Sequence, residues 1–175
     1  MLRTILLTTT LALLAAPLGA ALPPGARAPD FTARGAIGGR VFTVNLARQL
    51  KRGPVVLYFF PKAFTQGCTV EANAFADATA DFRKAGATVI GMSSDTIADL
   101  RRFSTQECRG KFAVASASPA VIRGYDVALT QRPGMTDRTS YVIGSDGRIA
   151  FVHSDLNPVD HVRLTLAAVR RAKRG

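Results

Sequence analysis

An unbroken run of β-branched and aromatic side chains, VVLYFF, occupies residues 55–60. Such a run predicts a central strand that is covered on both faces. Pro61 lacks a backbone N–H and is expected to end this strand. From Thr69 onward, apolar positions recur at helical spacing until Gly86, a residue typical of the position after a helix C-terminus. Cys68 therefore lies where a buried strand gives way to an amphipathic helix.

Strand and helix patterns alternate along the rest of the chain. Residues 88–93 form a second apolar run, and Asp95 or Thr96 can cap a helix that continues to about Gln106. Strands separated by helices are usually parallel, joined by right-handed crossovers, and covered by helices. The other predicted elements are an extended start at 28–32, a turn at 35–40, a strand at 41–44, a helical turn at 46–51 capped by Asn45, a weak strand at 111–115, a short helix at 119–124, a hairpin of strands 140–143 and 148–152, and a closing helix opened by Pro158. This order predicts an α/β, thioredoxin-like fold, in which an N-terminal β-hairpin precedes a central mixed sheet flanked by helices.

The first 21 residues have the pattern of a secretory signal peptide. A short start containing Arg3 precedes an apolar segment at residues 5–16 and small residues that suit cleavage. An uncleaved N-terminal anchor is the alternative, although the segment is short for a bilayer span. Residues 22–175 are enough for one domain with a single core. We therefore expect an exported, periplasmic protein that is not inserted in the membrane after signal cleavage.

The chain is strongly basic, with 23 Lys and Arg, 12 Asp and Glu, and a formal net charge of +11. Because the protein is expected to be exported, nucleic acid is not an expected partner. A basic surface favours acidic partners or the anionic face of a membrane. The basic cluster in residues 170–174 ends the last predicted helix, where cations complement the helix dipole, and is expected to be solvated.

Cys68 is the candidate nucleophile. A thiol at the start of a helix lies near the positive end of the helix dipole and near unpaired N–H groups, both of which stabilise a thiolate. Thr65 places a hydroxyl near the sulfur, and Pro61 gives the preceding loop a rigid wall. Together they read Pro-x-x-x-Thr-x-x-Cys. The alternative for Cys68 alone is a buried structural cysteine.

The stretch PKAFTQGCTVEA around this cysteine resembles the active-site signature of the peroxiredoxins, and most closely that of the Q-type, bacterioferritin-comigratory-protein-like subgroup. The similarity extends to residues 28–31 (APDF), 138–141 (RTSY) and 146–149 (DGRI). Ala63 and Gln66 stand where that subgroup usually has Asp and Pro, but both lie outside the signature. The resemblance covers nearly the whole chain after the leader and implies a thioredoxin-like fold and thiol peroxidase activity.

The resemblance also implies a role for each residue of the signature. Cys68 would attack the peroxide and become a sulfenic acid. Thr65 and the backbone N–H groups around Gly67 and Cys68 would bind the peroxide, beside the wall formed by Pro61. Arg138 would stabilise the thiolate and the charge that develops on the peroxide oxygens. A plain helix cap is the alternative for Thr65, and a solvated arginine at a strand end is the alternative for Arg138.

Cys108 is the candidate resolving thiol, as in those Q-type relatives that carry this cysteine in the helix after the first one. In other relatives it lies five residues past the nucleophile, where this chain has Asn73. A bond to Cys68 needs Cα atoms within about 7 Å, so we expect local unwinding around Cys108. Arg109 is expected to make that thiol more reactive. The alternatives are an external resolving thiol, or a permanent Cys68–Cys108 bridge in a non-catalytic binding module.

The resemblance implies that the protein reduces hydrogen peroxide and small organic hydroperoxides, that a thioredoxin-like dithiol donor recycles it, and that it is a monomer, as Q-type relatives often are. An exported disulfide oxidoreductase of the same fold is the rival enzyme, but it normally needs Cys-x-x-Cys, and only Cys68 is present near the helix start. His153 and His161 have no third ligand nearby in the sequence, so we expect a surface or core role for both and no metal or haem. No glycine-rich phosphate loop precedes a helix, so we expect no cofactor.

Overall fold

The computed structural model describes residues 21–173, which contain seven strands and five helices. In chain order they are β1 (Thr32–Ile37), β2 (Arg40–Asn45), α1 (Leu46–Leu50), β3 (Val55–Phe59), α2 (Gln66–Lys84), β4 (Thr88–Ser93), α3 (Ile97–Gln106), β5 (Ala113–Ser116), α4 (Pro119–Gly124), β6 (Thr139–Ile143), β7 (Ile149–Ser154) and α5 (His161–Ala172). The predicted signal peptide falls outside the described residues, except for Ala21.

The strands form one mixed sheet in the order β2-β1-β5-β4-β3-β6-β7. Strand β3 is central and pairs in parallel with β4 and antiparallel with β6, while β1 and β2 form the N-terminal hairpin. All five residues of β3 are buried. The predicted α/β, thioredoxin-like fold with a mixed central sheet is confirmed.

Alternate residues of β3 contribute to two different cores. Val56 and Tyr58 pack in the cluster that includes apolar residues of α2, α3 and α5, whereas the other three residues of the strand pack with residues of α1 and α4. The ring of Tyr58 stacks on Phe75 of α2 at a centroid distance of 4.3 Å. This packing holds α2 against the central strand and so fixes the position of Cys68 at the start of the helix.

The predicted turn at residues 35–40 was wrong in its first half, because its first three residues belong to β1. A Cβ at Gly35 would lie 2.8 Å from the carbonyl oxygen of Val114 on β5. The glycine therefore permits the close approach of two strands instead of forming a turn. The turn itself is Gly38 and Gly39, both at positive φ.

Two other elements start later or earlier than predicted. Helix α2 begins at Gln66, three residues before Thr69, so that Cys68 is its third residue. Glu71 is the sixth residue of this helix and lies beyond its first turn. Strand β5 begins at Ala113, two residues later than expected.

The closing helix was predicted to open at Pro158, but α5 begins at His161. Before it, the Asp155 carboxylate accepts a hydrogen bond from the N–H of Asn157, and the Asn157 side-chain oxygen accepts one from the N–H of Val159. Such local side-chain bonds compete with helical backbone bonds. Pro158 is therefore part of a turn.

The predicted caps are largely as expected. Asn45 accepts a hydrogen bond from the N–H of Arg48, and Thr96 accepts one from the N–H of Asp99. Of the two candidates for the cap of α3, Thr96 fills this role, which leaves the carboxylate of Asp95 free for other contacts. Among residues 21–173, no helix combines the length and apolar character needed to cross a bilayer.

Candidate active site

Cys68 lies in the first turn of α2, directly beyond the loop that leaves the carboxyl end of β3. Its side chain is buried, with 1% of the residue exposed. The first N–H groups of a helix have no partner within the helix, and here they lie next to the sulfur. The fold therefore places the thiol at the positive end of a 19-residue helix.

Arg138, which directly precedes β6, brings its guanidinium to this thiol. Its Nη2 donates to the Sγ of Cys68 at 3.5 Å, and its Nε donates to the carbonyl oxygen of Leu156 at 2.8 Å. Its Nη1 donates to the Oε2 of Glu71. Only 5% of Arg138 is exposed, so it is not the solvated arginine that was the alternative interpretation.

Glycine at position 67 leaves room for this arrangement. A Cβ on Gly67 would lie 3.1 Å from the Nη2 of Arg138. A larger residue would push the guanidinium away from the helix start. The structure thus brings Gly67, Cys68 and Arg138 together, which is the grouping that the family resemblance implied.

Charge within the site is unusual because an acid and a base are buried together. Burial raises the pKa of Glu71 to about 8, although Arg138 opposes this shift. Burial works to lower the pKa of Arg138, but the charges of Glu71 and Cys68 outweigh it and raise that pKa. Arg138 therefore stays cationic, while Glu71 readily holds a proton.

His161 lies on the far side of Glu71 and is fully buried. Its Nδ1 is 3.7 Å from the Oε1 of Glu71 and 2.8 Å from the Oγ of Ser140, and its Nε2 is 2.8 Å from the carbonyl oxygen of Asp155. Burial lowers the pKa of His161 to about 4, against the opposing effect of the Asp155 hydrogen bond. The expectation of a surface or core role is met by a core position.

Asp95 braces the loop that precedes Cys68. Its carboxylate accepts hydrogen bonds from the N–H of Ala63 at 2.7 Å, from the Oγ of Ser93 at 2.8 Å and from the Nζ of Lys62 at 3.0 Å. Sequence reasoning considered Asp95 only as a helix cap. Its position at the carboxyl end of β4, parallel and adjacent to β3, was the available signal, because such strand ends meet at one edge of a sheet.

Thr65 ends this loop and directs its hydroxyl away from the helix. The hydroxyl donates to the carbonyl oxygen of Lys62 at 2.9 Å, and the side chain makes no capping bond. Thr65 thus occupies the N-cap position of α2, as the alternative interpretation expected, but its side chain does not cap the helix. Since the hydroxyl hydrogen is engaged, the lone pairs of Thr65 remain to accept a hydrogen bond from a ligand.

Two other residues shape the loop on either side of Ala63. Pro61 is half-buried and follows Phe60, whose carbonyl oxygen accepts a 2.6 Å hydrogen bond from the hydroxyl of Thr136. Phe64 adopts a positive φ of 65°, and its ring meets the edge of Phe103 at 5.3 Å. The loop is thus held to the core at both ends.

Cys108 lies just beyond α3, is fully buried, and belongs to the same apolar cluster as Cys68. Both cysteines are free thiols. Burial raises the pKa of Cys108, and the charge of Glu107 adds to the shift. The expectation that Arg109 activates this thiol was wrong, because its guanidinium pairs with Asp77 at 2.5 Å.

In the described part of the chain, no three side chains of His, Cys, Asp or Glu are grouped so as to hold a metal ion. Three titratable side chains follow one another from the sulfur of Cys68. The guanidinium of Arg138 contacts the sulfur, the carboxyl of Glu71 contacts Arg138, and the imidazole of His161 lies next to Glu71. Such a set can stabilise an anionic sulfur and place a proton nearby.

Comparisons with known proteins agree with this geometry. The model of the AhpC/TSA family matches residues 24–152. A rice protein, peroxiredoxin Q, chloroplastic, of Oryza sativa subsp. japonica, is 32% identical over 143 residues, which are 81% of this chain and 64% of the rice protein. The chain thus spans a little under two thirds of that relative.

Solved structures show the same architecture. The crystal structure of peroxidoxin BcpB from Mycobacterium tuberculosis superposes with a TM-score of 0.75 and 28% identity, covering 85% of this chain and 96% of that one. The AhpC of Mycobacterium tuberculosis gives a TM-score of 0.76 at 21% identity, covering 88% and 94%, and so supports the fold alone.

Proposed function

This chain belongs to the AhpC/TSA family, and we propose that it is a thiol-dependent peroxidase whose nucleophile is the thiolate of Cys68. The observation that carries the proposal is the 3.5 Å contact between the Nη2 of Arg138 and the Sγ of Cys68 at the buried start of α2. A guanidinium next to the sulfur favours the thiolate, which is the reactive form of cysteine.

In the first step, the Sγ of Cys68 attacks the terminal oxygen of a hydroperoxide. A sulfur–oxygen bond forms as the oxygen–oxygen bond breaks, and the leaving oxygen takes a proton to become water or an alcohol. Arg138 and the N–H groups at Gly67 and Cys68 donate to the oxygens as charge develops on them. Thr65 accepts a hydrogen bond from the peroxide and so orients it. The product on Cys68 is a sulfenic acid.

In the second step, Cys108 attacks the sulfur of the sulfenic acid, a disulfide forms, and water leaves. Both cysteines are buried, and Cys108 follows α3 while Cys68 is the third residue of α2. Formation of the bond therefore requires the segment around Cys108 to unwind, which also exposes a thiol that burial otherwise keeps protonated. A dithiol donor of the thioredoxin kind then exchanges with the disulfide and restores both thiols.

We expect hydrogen peroxide and small organic hydroperoxides to be the substrates. A surface pocket of about 320 Å³ adjoins Arg138 and includes Leu129, Thr130 and Leu156 in its lining. Polar residues such as Gln131 and Asp155 share this lining, so we expect only its apolar part, at Leu129 and Leu156, to contact the organic group of a hydroperoxide. We expect Pro61, on the loop that precedes Cys68, to limit access of water to the sulfur.

Export and a monomeric state are further parts of the proposal. The charge, apolar core and small residues of the first 21 positions support export to the periplasm, where the reductant would also be an exported dithiol protein. The mass of the protein recovered from the periplasmic fraction tests removal of the leader. Sedimentation of the reduced and oxidised forms tests the monomer.

The central experiment is stopped-flow oxidation of the reduced protein by hydrogen peroxide, with the matched variants Cys68→Ser and Cys108→Ser. We expect turnover with a thioredoxin, its reductase and NADPH to be lost in both variants. A sulfenic acid trapped by a dimedone reagent should accumulate in Cys108→Ser and be absent from Cys68→Ser.

Different outcomes separate the alternatives. Turnover that persists in Cys108→Ser would assign resolution to an external thiol and overturn the role of Cys108. If the unmodified protein reacts with no peroxide and forms a disulfide that dithiols do not reduce, the proposed peroxidase activity is wrong. The alternative that remains is a non-catalytic binding module with a permanent Cys68–Cys108 disulfide.

A further inference from the structure

A cavity of about 240 Å³ lies at the edge of the sheet opposite to Cys68. Its lining includes Thr88 and Ala113, the first residues of β4 and β5, so it lies at the amino ends of these two parallel strands. Cys68 instead follows the carboxyl end of β3, which is parallel to β4. The cavity is therefore separate from the candidate active site, and neither Cys68 nor Arg138 lines it.

The cavity exists because the sheet has a gap at this end. Strand β4 begins at Thr88, but its pairing with β5 begins only at Ile90, opposite Ala113. Strand β1, on the other side of β5, ends at Ile37. The first two residues of β4 thus have no partner in β5. Side chains from β2, α1 and α2 surround the space that remains.

Much of the wall of the cavity is apolar. Val44, Val89, Ile90 and Phe112 are buried, and Phe42 is half-buried. A dry apolar cavity of about 150 Å³ accommodates benzene, so the cavity of about 240 Å³ has room for roughly eight to ten carbon atoms. Transfer of an aliphatic chain from water to such a wall is favourable.

The charged residues around the cavity all carry positive charge. Arg52, Arg83 and Lys111 belong to its lining and are exposed, and the lining contains no Asp or Glu. Among residues 21–173, no carboxylate forms a salt bridge with any of these three cations. A neighbouring pocket that shares two of the cations contains Asp77, but its carboxylate pairs with Arg109 at 2.5 Å. The three cations are therefore available to an anion from outside the chain.

We propose that this cavity binds a carboxylate that carries a single aliphatic chain of about eight to ten carbon atoms. The chain lies on the apolar wall, and the carboxylate pairs with Arg52, Arg83 and Lys111, of which an arginine can donate two parallel hydrogen bonds to it. The charge disfavours a cationic amphiphile, and the volume disfavours a peptide or a lipid with two chains. The inference goes beyond the proposed peroxidase and does not depend on it.

The first test is isothermal titration of the purified, reduced protein with decanoate. We expect one saturable site with a dissociation constant on the order of 0.1 mM, a reasonable value for a ligand of about a dozen heavy atoms. Acetate has the same head group without the chain, and decyltrimethylammonium has the same chain with a cationic head. Both should bind at least about tenfold more weakly, because each lacks one of the two features that match the cavity.

The contribution of the charges is tested with the double variant Arg52→Gln/Arg83→Gln. Its matched control is Lys51→Gln/Lys84→Gln, which removes two exposed charges that are adjacent in sequence but lie outside the lining. We expect the affinity for decanoate to fall about three- to tenfold in the first variant and less than about twofold in the control. Because all four side chains are exposed, both variants should fold.

The contribution of the apolar wall is tested with Thr88→Phe, which places a ring in the cavity from an exposed position of its lining. Thr43→Phe, at an exposed position of β2 outside the lining, is the control. We expect decanoate binding to be lost in Thr88→Phe alone. In the unmodified protein, decanoate should shift the methyl NMR signals of Val44, Val89 and Ile90.

Absence of decanoate binding would overturn the inference, as would equal affinities for decanoate and decyltrimethylammonium. Unchanged affinity in both Arg52→Gln/Arg83→Gln and Thr88→Phe would place the ligand elsewhere and overturn it as well. Binding of the protein to phosphatidylglycerol vesicles without binding of decanoate would assign the three cations to a membrane surface instead. If decanoate binds as expected but peroxide is not reduced, the cavity is a carboxylate site and the proposed peroxidase fails.

Discussion

The guanidinium of Arg109 lies 2.5 Å from the Asp77 carboxylate and ties the segment that carries Cys108 to helix α2. The same guanidinium donates to the backbone carbonyl oxygen of Asn73 at 3.0 Å. Arg109 itself has a φ of 50°, which few residues other than glycine adopt. These contacts hold the buried Cys108 in the closed position, so they oppose the unwinding that a disulfide with Cys68 needs.

Arg109→Ala should therefore speed disulfide formation after a single equivalent of peroxide. An exposed ion pair contributes about 0.2–1 kcal/mol, so we expect an increase of up to about fivefold in the rate of the resolving step. Quenched-flow trapping of free thiols measures that rate. Arg101→Ala, an exposed arginine on α3, is the control. An unchanged rate in Arg109→Ala would mean that opening does not limit resolution.

Arg138→Met should slow oxidation of Cys68 by hydrogen peroxide by about 100-fold or more, the usual cost of removing a donor that stabilises developing charge. The rate for Arg138→Lys should fall between those of the unmodified protein and Arg138→Met. A lysine keeps the positive charge but cannot contact Glu71 and Cys68 with one planar group. The rates come from stopped-flow measurements. Arg123→Met, on an exposed part of α4, controls for loss of one positive charge. Similar rates for Arg138→Met and its control would remove Arg138 from the mechanism.

Asp95→Ala should reduce both activity and stability, because three donors around the loop lose their buried acceptor. A buried donor left unsatisfied costs about 1–3 kcal/mol, and a loop displaced by about 1 Å can cost 100-fold in rate. Asp99→Ala provides a control, since Asp99 lies on the next helix and pairs with the exposed Arg102. Urea unfolding and the peroxide rate are measured together. A stable but inactive variant would show that Asp95 acts on the loop more than on the fold.

Local sequence patterns predicted the strand, loop and helix around Cys68 because those features depend on near neighbours. The apolar run of β3, the break at Pro61 and the spacing of α2 all lie within about 30 residues. Local patterns gave wrong predictions where contacts with other segments determine the conformation of a residue. Gly35 looked like a turn residue because only the approach of β5 shows why it is a glycine, and Pro158 looked like a helix start because the competing bonds of Asn157 are not visible in a pattern.

The residues of the candidate site also fall into two groups, those that the sequence indicated and those that it did not. Cys68 and Thr65 could be found by spacing, and Arg138 by resemblance to a family. Asp95 and His161 could not, since their contacts with Ala63 and with Glu71 span 32 and 90 residues. Glu71 was visible as an acid near the cysteine, yet its burial against Arg138 depends on where the chain brings β6.

The pH dependence of stability gives the last prediction, because Glu71 is held neutral by the fold. Its pKa is raised from an ordinary value of 4.5 to about 8, so between these values the folded state keeps a proton that the unfolded state releases. Folding is thus weakened as pH rises through this window, by as much as about 1.4 kcal/mol per pH unit. Above pH 8 both states have lost the proton, and the slope ends.

The variant Glu71→Gln cannot release this proton. Relative to the unmodified protein, its free energy of unfolding should therefore increase steadily from about pH 5 to pH 8, as measured by urea unfolding at each pH. His161 works in the opposite direction, because its pKa is lowered from 6.5 to about 4, and stability from this group is lost as pH falls below 6.5. Taking the difference between the two proteins removes most of that contribution. Glu107→Gln tests whether any Glu to Gln change produces the slope, and a flat difference for Glu71→Gln would show that Glu71 is ionised in the folded protein at neutral pH.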